Sequence, residues 1–123
     1  MLTLAFGLMF AGFVAFITAS GLCGHAARRL VDFQFQNYHD AWVRDGRPVG
    51  GKITRHELSF IGSAFASITV TPGWLFARPA WLPAESAGEL LRRAWIRWFA
   101  LSLLCLLLAI GGMVLFGVQV NAA

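Results

Sequence analysis

Charge is confined to the middle of this chain: all ten Lys and Arg and all six Asp and Glu lie between Arg28 and Arg97. Residues 1–27 hold no charged residue, with His25 as their only imidazole, and residues 98–123 hold neither charge nor histidine. Each flank exceeds the ~20 apolar residues that cross a bilayer core as a helix. In lipid every backbone polar group must be satisfied internally, which a helix does without partners. The expected fold class is therefore all-α: an integral membrane helical hairpin of two transmembrane helices, with a short-helix cytoplasmic loop between them.

The expected division is a first transmembrane helix over 1–24, a basic cytoplasmic or interfacial loop over 25–93, a second transmembrane helix over 94–118 and a short tail over 119–123. A chain of 123 residues with both ends in lipid leaves a loop that is marginal as an independent unit, so its stability draws on the membrane or a partner. Basic residues set the orientation. Arg28, Arg29, Arg92, Arg93 and Arg97 lie beside the apolar flanks, where the positive-inside rule has most weight, and they place the loop in the cytoplasm with both termini periplasmic. The first flank has no positive residue before it and a poor cleavage box at Ser20-Gly21-Leu22-Cys23, so it reads as a retained anchor rather than a leader. The localisation expected is a bacterial inner membrane.

Both spans offer small-residue faces. Gly7, Ala11, Ala15 and Ala19 recur at i+4, and Ser102, Cys105, Ala109 and Gly112 trace a comparable line on the second span. Rows of this kind let helices approach closely, although small residues are also common in membrane helices generally. Cys23 and Cys105 fit no metal or redox spacing and read as small packing residues.

In the loop, Val31, Phe35, Tyr38 and Trp42 follow helical spacing and extend the first helix inward. Asp45-Gly46-Arg47-Pro48 breaks it, and Gly50-Gly51 prolongs the break. Thr54-Arg55-His56-Glu57 has the form of a capping box, predicting a helix from about Arg55 with Leu58, Ile61, Phe65 and Ile68 as its apolar face. The uncharged run from Leu58 to Ala77 contains hydroxyl residues and a Pro72-Gly73 break, which favours a loop element over a third span or re-entrant segment. Trp74 and Trp81, among Pro72, Pro79 and Pro83, suit the headgroup level. Ser86-Ala87-Gly88-Glu89 is a second capping box, opening a helix that runs into the second span past Trp95 and Trp98.

Signatures of chemistry are missing from this pattern. Neither span carries an axial histidine for a buried cofactor. His39 and His56 lack zinc spacing, and Gly46 to Gly51 lacks the Lys-Ser/Thr ending of a phosphate loop. The carboxylates Asp32, Asp40, Asp45 and Glu57 are scattered among arginines, as in solvated ion pairs. The chain is accordingly expected to be no enzyme, to hold no cofactor or metal and to bind no nucleic acid, the basic balance being explained by topology and anionic headgroups. Arg28-Arg29 and Arg92-Arg93 are expected to meet as a four-arginine patch, serving topology alone or docking an anionic lipid or acidic partner. Arg97, Trp74, Trp81, Trp95 and Trp98 complete the expected lipid or partner surface.

Gly46-Arg47-Pro48 in the loop, and Glu89-Leu90-Leu91-Arg92-Arg93 running into Phe99-Ala100-Leu101-Ser102, give a layout that resembles the universal stress protein B family of small two-span inner-membrane proteins. The resemblance is architectural over most of the chain and departs from the family between Trp74 and Pro83. It implies a bacterial inner-membrane protein without established catalytic residues. Two functions are expected from the whole pattern. The first is a non-catalytic accessory or stabilising subunit of a larger membrane complex, respiratory or photosynthetic; the second is a free-standing stress-response or lipid-interacting protein.

Overall fold

The computed structural model describes residues 2–122, the side chain of Phe60 apart. Among those residues the regular elements are all helical: α1 (Leu2–Asn37), α2 (His39–Arg44), a 3-10 turn at Arg55–Glu57, α3 (Phe60–Thr69), α4 (Gly73–Phe76) and α5 (Ala87–Ala122). α1 and α5 have 36 residues each, well beyond the ~20 that cross a ~30 Å hydrocarbon core as a helix. The boundaries expected at residues 24 and 94 are not helix ends, and the expected tail is the last turn of α5 as far as Ala122, with Ala123 outside the described residues. The chain divides into two compact units, one made of α1 up to Cys23 with α5 from Arg97, the other of Gly24–Ile96.

In the first unit the helices pack antiparallel along a seam of small residues. Ala5, Gly12 and Ala19 are buried on α1, and Ser102, Cys105, Ala109 and Gly112 are buried on α5. A Cβ on Gly12 would sit 2.8 Å from the Ala109 nitrogen, and one on Gly112 would sit 2.7 Å from the Met9 nitrogen. These pairings set the register, and they bring backbone against backbone.

The α1 side of the seam differs from the expected i+4 row. Gly7, Ala11 and Ala15 are exposed, Gly7 with no neighbour within 4 Å of a built Cβ, and only Ala19 of that row is buried. Helical geometry explains the difference. Each i+4 step turns about 40° around the axis, so a row of four winds about 120° away from a straight neighbour. A seven-residue step drifts only about 20°, so Ala5, Gly12 and Ala19 keep facing α5.

The second unit is built on buried aromatics. α1 stops at Asn37, whose side-chain amide donates to the Phe33 carbonyl (3.1 Å), and α2 follows after Tyr38. Trp42 of α2 is completely buried and donates from its indole nitrogen to the Pro48 carbonyl (3.0 Å). The chain reverses through a Schellman-type ending: Arg47 N–H donates to the Trp42 carbonyl, and Gly46 N–H to that of Val43. Gly46 takes φ +91°, the left-handed conformation that glycine adopts without a Cβ clash. The Asp45-Gly46-Arg47-Pro48 break therefore has a defined geometry, and Asp45 itself accepts a hydrogen bond from the buried Gln34 amide (2.7 Å).

Beyond this turn the sequence expectation and the structure part. The Thr54 capping box opens only the 3-10 turn at Arg55–Glu57, without a side-chain cap. α3 begins at Phe60, where Ser63 Oγ accepts the Ser59 N–H (2.9 Å). α5 does use its predicted signal in part: Glu89 N–H donates to Ser86 Oγ (3.3 Å), while the Glu89 carboxylate turns to arginines. Trp74, Leu82 and Trp95 are buried, and Trp81 stacks edge-on against Trp74 with centroids 5.2 Å apart.

Candidate functional site

Two surfaces of the second unit stand out, one basic and one apolar. The first is a basic cleft on α1. His25, Arg28, Arg29 and Asp32 fall at i, i+3, i+4 and i+7, which places them along one side of the helix. The segment after Pro48 crosses this side and is held there by Asp32, whose two carboxylate oxygens accept the N–H groups of Gly51 (3.2 Å) and Lys52 (2.9 Å). Asp32 is about nine-tenths buried, so these two bonds replace solvation that its carboxylate has lost.

Gly50 permits the approach, since a Cβ there would overlap Asp32 Oδ1 and crowd Ile53. The result is a cleft of about 630 Å³ lined by His25, Arg28, Arg29, Asp32 and Lys52, with Phe33 and Leu91 as apolar walls. Arg28, Arg29 and Lys52 are exposed and make no ion pair among the described residues.

Of the four arginines expected to meet as a patch, Arg28 and Arg29 line the cleft, whereas Arg92 and Arg93 pair with Glu89. Arg92 bonds Glu89 (2.9 Å) and donates to the Trp74 carbonyl, and Arg93 also reaches Glu89 (3.5 Å). Glu89 is buried, and both guanidinium groups meet its Oε1, Arg92 from a mostly buried position and Arg93 from an exposed one, while Oε2 has no hydrogen-bond partner among the described residues. Arg97 remains exposed and Trp98 half-buried. Of the tryptophans expected at a docking surface, Trp74 and Trp95 are instead buried, and Trp81 is half-buried against Tyr38 (5.5 Å) and Trp74. The prolines around them fold the segment back on itself, which buries rings that an extended interfacial stretch would display.

The second surface is the outer face of α3. Ile61, Phe65 and Ile68 are 78%, 66% and 73% exposed, and Phe76 of α4 is exposed too. The inward side is Ser63, Ala66 and Ser67. Ile61, Phe65 and Ile68 thus share one face of α3 as the spacing predicts, and that face points outward. The cause of this direction is hydrogen bonding: Ser67 Oγ accepts the Val49 N–H (2.8 Å) and donates to the Ser63 carbonyl, and Ser63 accepts Ser59 N–H. The serines tie the loop to the helix, and Ala66 comes close to Gly46, where a Cβ would be 3.0 Å from the alanine's methyl. Rotating the large residues inward would sacrifice these bonds and overfill the contact.

Among the described residues, no three His, Cys, Asp or Glu side chains are grouped to hold a metal ion. Sequence reasoning found Arg28 and Arg29 but missed Lys52 and the Asp32 clamp. The glycine pair was the only sign that a strand of backbone had to pass close to something. Fold and surfaces together define an all-helical protein with two helices long and apolar enough to cross a membrane. Comparison with known proteins finds no matching family model, no matching curated protein and no matching solved structure.

Proposed function

We propose that the protein is a non-catalytic accessory subunit of a larger membrane complex, anchored as a two-helix hairpin in a bacterial inner membrane with its loop unit in the cytoplasm. The observation that carries this reading is the outward apolar face of α3 and α4. Four large apolar side chains there are 66% to 83% exposed on a short uncharged segment, the pattern of a surface completed by another molecule. A single α3 of ten residues rises about 15 Å, half of what a span requires, so this face suits a partner or the membrane boundary rather than a crossing. The long helices support the membrane setting: in their most apolar windows only 17% and 22% of residues are buried, unlike core helices of a water-soluble domain.

The test is purification of the tagged full chain in mild detergent, followed by native gel electrophoresis and mass spectrometry. Stoichiometric recovery with a large respiratory or photosynthetic complex, lost in Phe65→Asp and Ile68→Asp, is the expected result. Migration as a small homo-oligomer carrying only lipid would sink the subunit reading and favour the second one, a free-standing stress-response or lipid-interacting protein as the universal stress protein B resemblance implies. The basic cleft on α1 is the observation that keeps this second reading in play.

A further inference from the structure

The cleft beside Arg28 is more organised than a topology signal requires. A positive-inside determinant needs arginines near a span and nothing else. Here a buried carboxylate, two consecutive backbone N–H donors and a glycine with no room for a side chain bring Lys52, twenty residues away from Asp32, onto the helix face that holds His25, Arg28 and Arg29. Each Asp32 carboxylate oxygen accepts one of these N–H groups, while the guanidinium groups of Arg28 and Arg29 and the Lys52 ammonium make no ion pair among the described residues.

We infer that this cleft is a binding site for a phosphate group, held by Arg28, Arg29 and Lys52 with His25 at its margin. The planar forks of arginine match phosphate oxygens, and lysine adds a point charge. A volume of about 630 Å³ falls within the range of small-ligand pockets and exceeds what a bare anion needs. The Phe33 and Leu91 walls give an attached apolar portion a place to rest. The phosphate could come from an anionic phospholipid headgroup or from a free phosphate in the cytoplasm, and both present the same oxygens to the site. Asp32 acts as a positioning residue, holding Lys52 in place without touching the ligand.

This site deepens the membrane reading only as to the phosphate's source; its geometry stands without it. The sharpest test uses the sign of charge. If the cleft is merely diffuse positive potential, Asp32→Ala removes a negative charge and tightens anion binding. If Asp32 positions Lys52, the same change weakens it.

The full chain in detergent is titrated with inorganic phosphate by calorimetry, and separately analysed by native mass spectrometry after exposure to phosphatidylglycerol or phosphatidylcholine. The expected result is binding in at least one phosphate arm, weakened at least about tenfold by Arg28→Gln with Arg29→Gln, and by Lys52→Gln. Asp32→Ala and Gly50→Ala weaken it as well. Retained phosphatidylglycerol that inorganic phosphate does not displace assigns a headgroup, and saturable inorganic phosphate assigns a free anion.

Absence of binding in every arm overturns the site, as does equal binding by the arginine and lysine variants, or tighter binding by Asp32→Ala. Lys52→Gln alters only an exposed side chain, so it keeps the test decisive if Asp32→Ala fails to fold. Recovery of the chain in the soluble fraction without detergent would defeat the membrane reading and leave the inorganic phosphate arm standing.

Discussion

Trp42 and Glu89 carry two different kinds of residue-scale commitment. Trp42 is fully enclosed, touches the Phe35 ring edge-on at 4.7 Å, lies 5.8 Å from the Arg47 guanidinium carbon and bonds the Pro48 carbonyl. Its truncation removes apolar burial, leaves a cavity and orphans a buried carbonyl. Trp42→Ala should destabilise the second unit by about 3–5 kcal/mol, read as a fall in the midpoint of thermal unfolding followed by the fluorescence of the other tryptophans. Glu89 is a buried carboxylate kept by Arg92, whose side chain is itself mostly buried. Breaking one side of such a pair costs about 3 kcal/mol or more, because the other charge stays in place. Arg92→Gln should therefore be clearly less stable than Glu89→Gln combined with Arg92→Gln. Equal stability of the two in the same unfolding measurement would mean that Arg93 and solvent suffice for Glu89.

At the scale of elements, the seam between α1 and α5 makes a discriminating prediction. Gly12 and Gly112 face backbone atoms of the opposing helix, whereas Gly7 faces open space. Gly12→Leu and Gly112→Leu should each cost at least about 1–3 kcal/mol by overpacking, and Gly7→Leu should be tolerated, with thermal unfolding in detergent as the readout. Losses at Gly7 matching those at Gly12 would move the interface back to the i+4 row. What the sequence made legible here follows from what is local. The Asp45-to-Pro48 break and the Ser86 start are written in residues next to the structure they cause. The four small residues on α5 are buried as a set. The α1 face was misplaced because every side of that helix is apolar, leaving only the slow drift between three-and-a-half and four residues per step to choose among faces. The apolar face of α3 was legible but its outward direction was not, because that is decided by Val49 and Ser59 bonding to serines, partners that no periodicity reveals. The basic cleft was half legible for a similar reason: Arg28 and Arg29 are adjacent in sequence, but Lys52 arrives through a carboxylate-to-backbone contact spanning twenty residues.

For the whole molecule, the confinement of charge to Arg28–Arg97 and the antiparallel seam of the first unit make one joint prediction about topology. Ten basic residues against none in either flank give a strong bias toward a cytoplasmic loop, and the five arginines nearest the apolar stretches lie where that bias acts. If the two long helices cross a membrane in opposite senses, residues 2 and 122 share the far side. Asp40 and Asn121 are exposed and suit single-cysteine labelling, in a background where Cys23 and Cys105 are changed to alanine. With a membrane-impermeant maleimide on intact spheroplasts, Asn121→Cys should label at once and Asp40→Cys only after permeabilisation. The reverse pattern would preserve the hairpin and overturn the charge argument. Labelling of both positions from the same side would break the hairpin itself, since an antiparallel pair of crossing helices must separate its loop from its ends. Moving the five flanking arginines to glutamine should erode the preference, because helix pairing alone favours neither orientation, and the labelled fraction at Asp40→Cys in intact spheroplasts should rise accordingly.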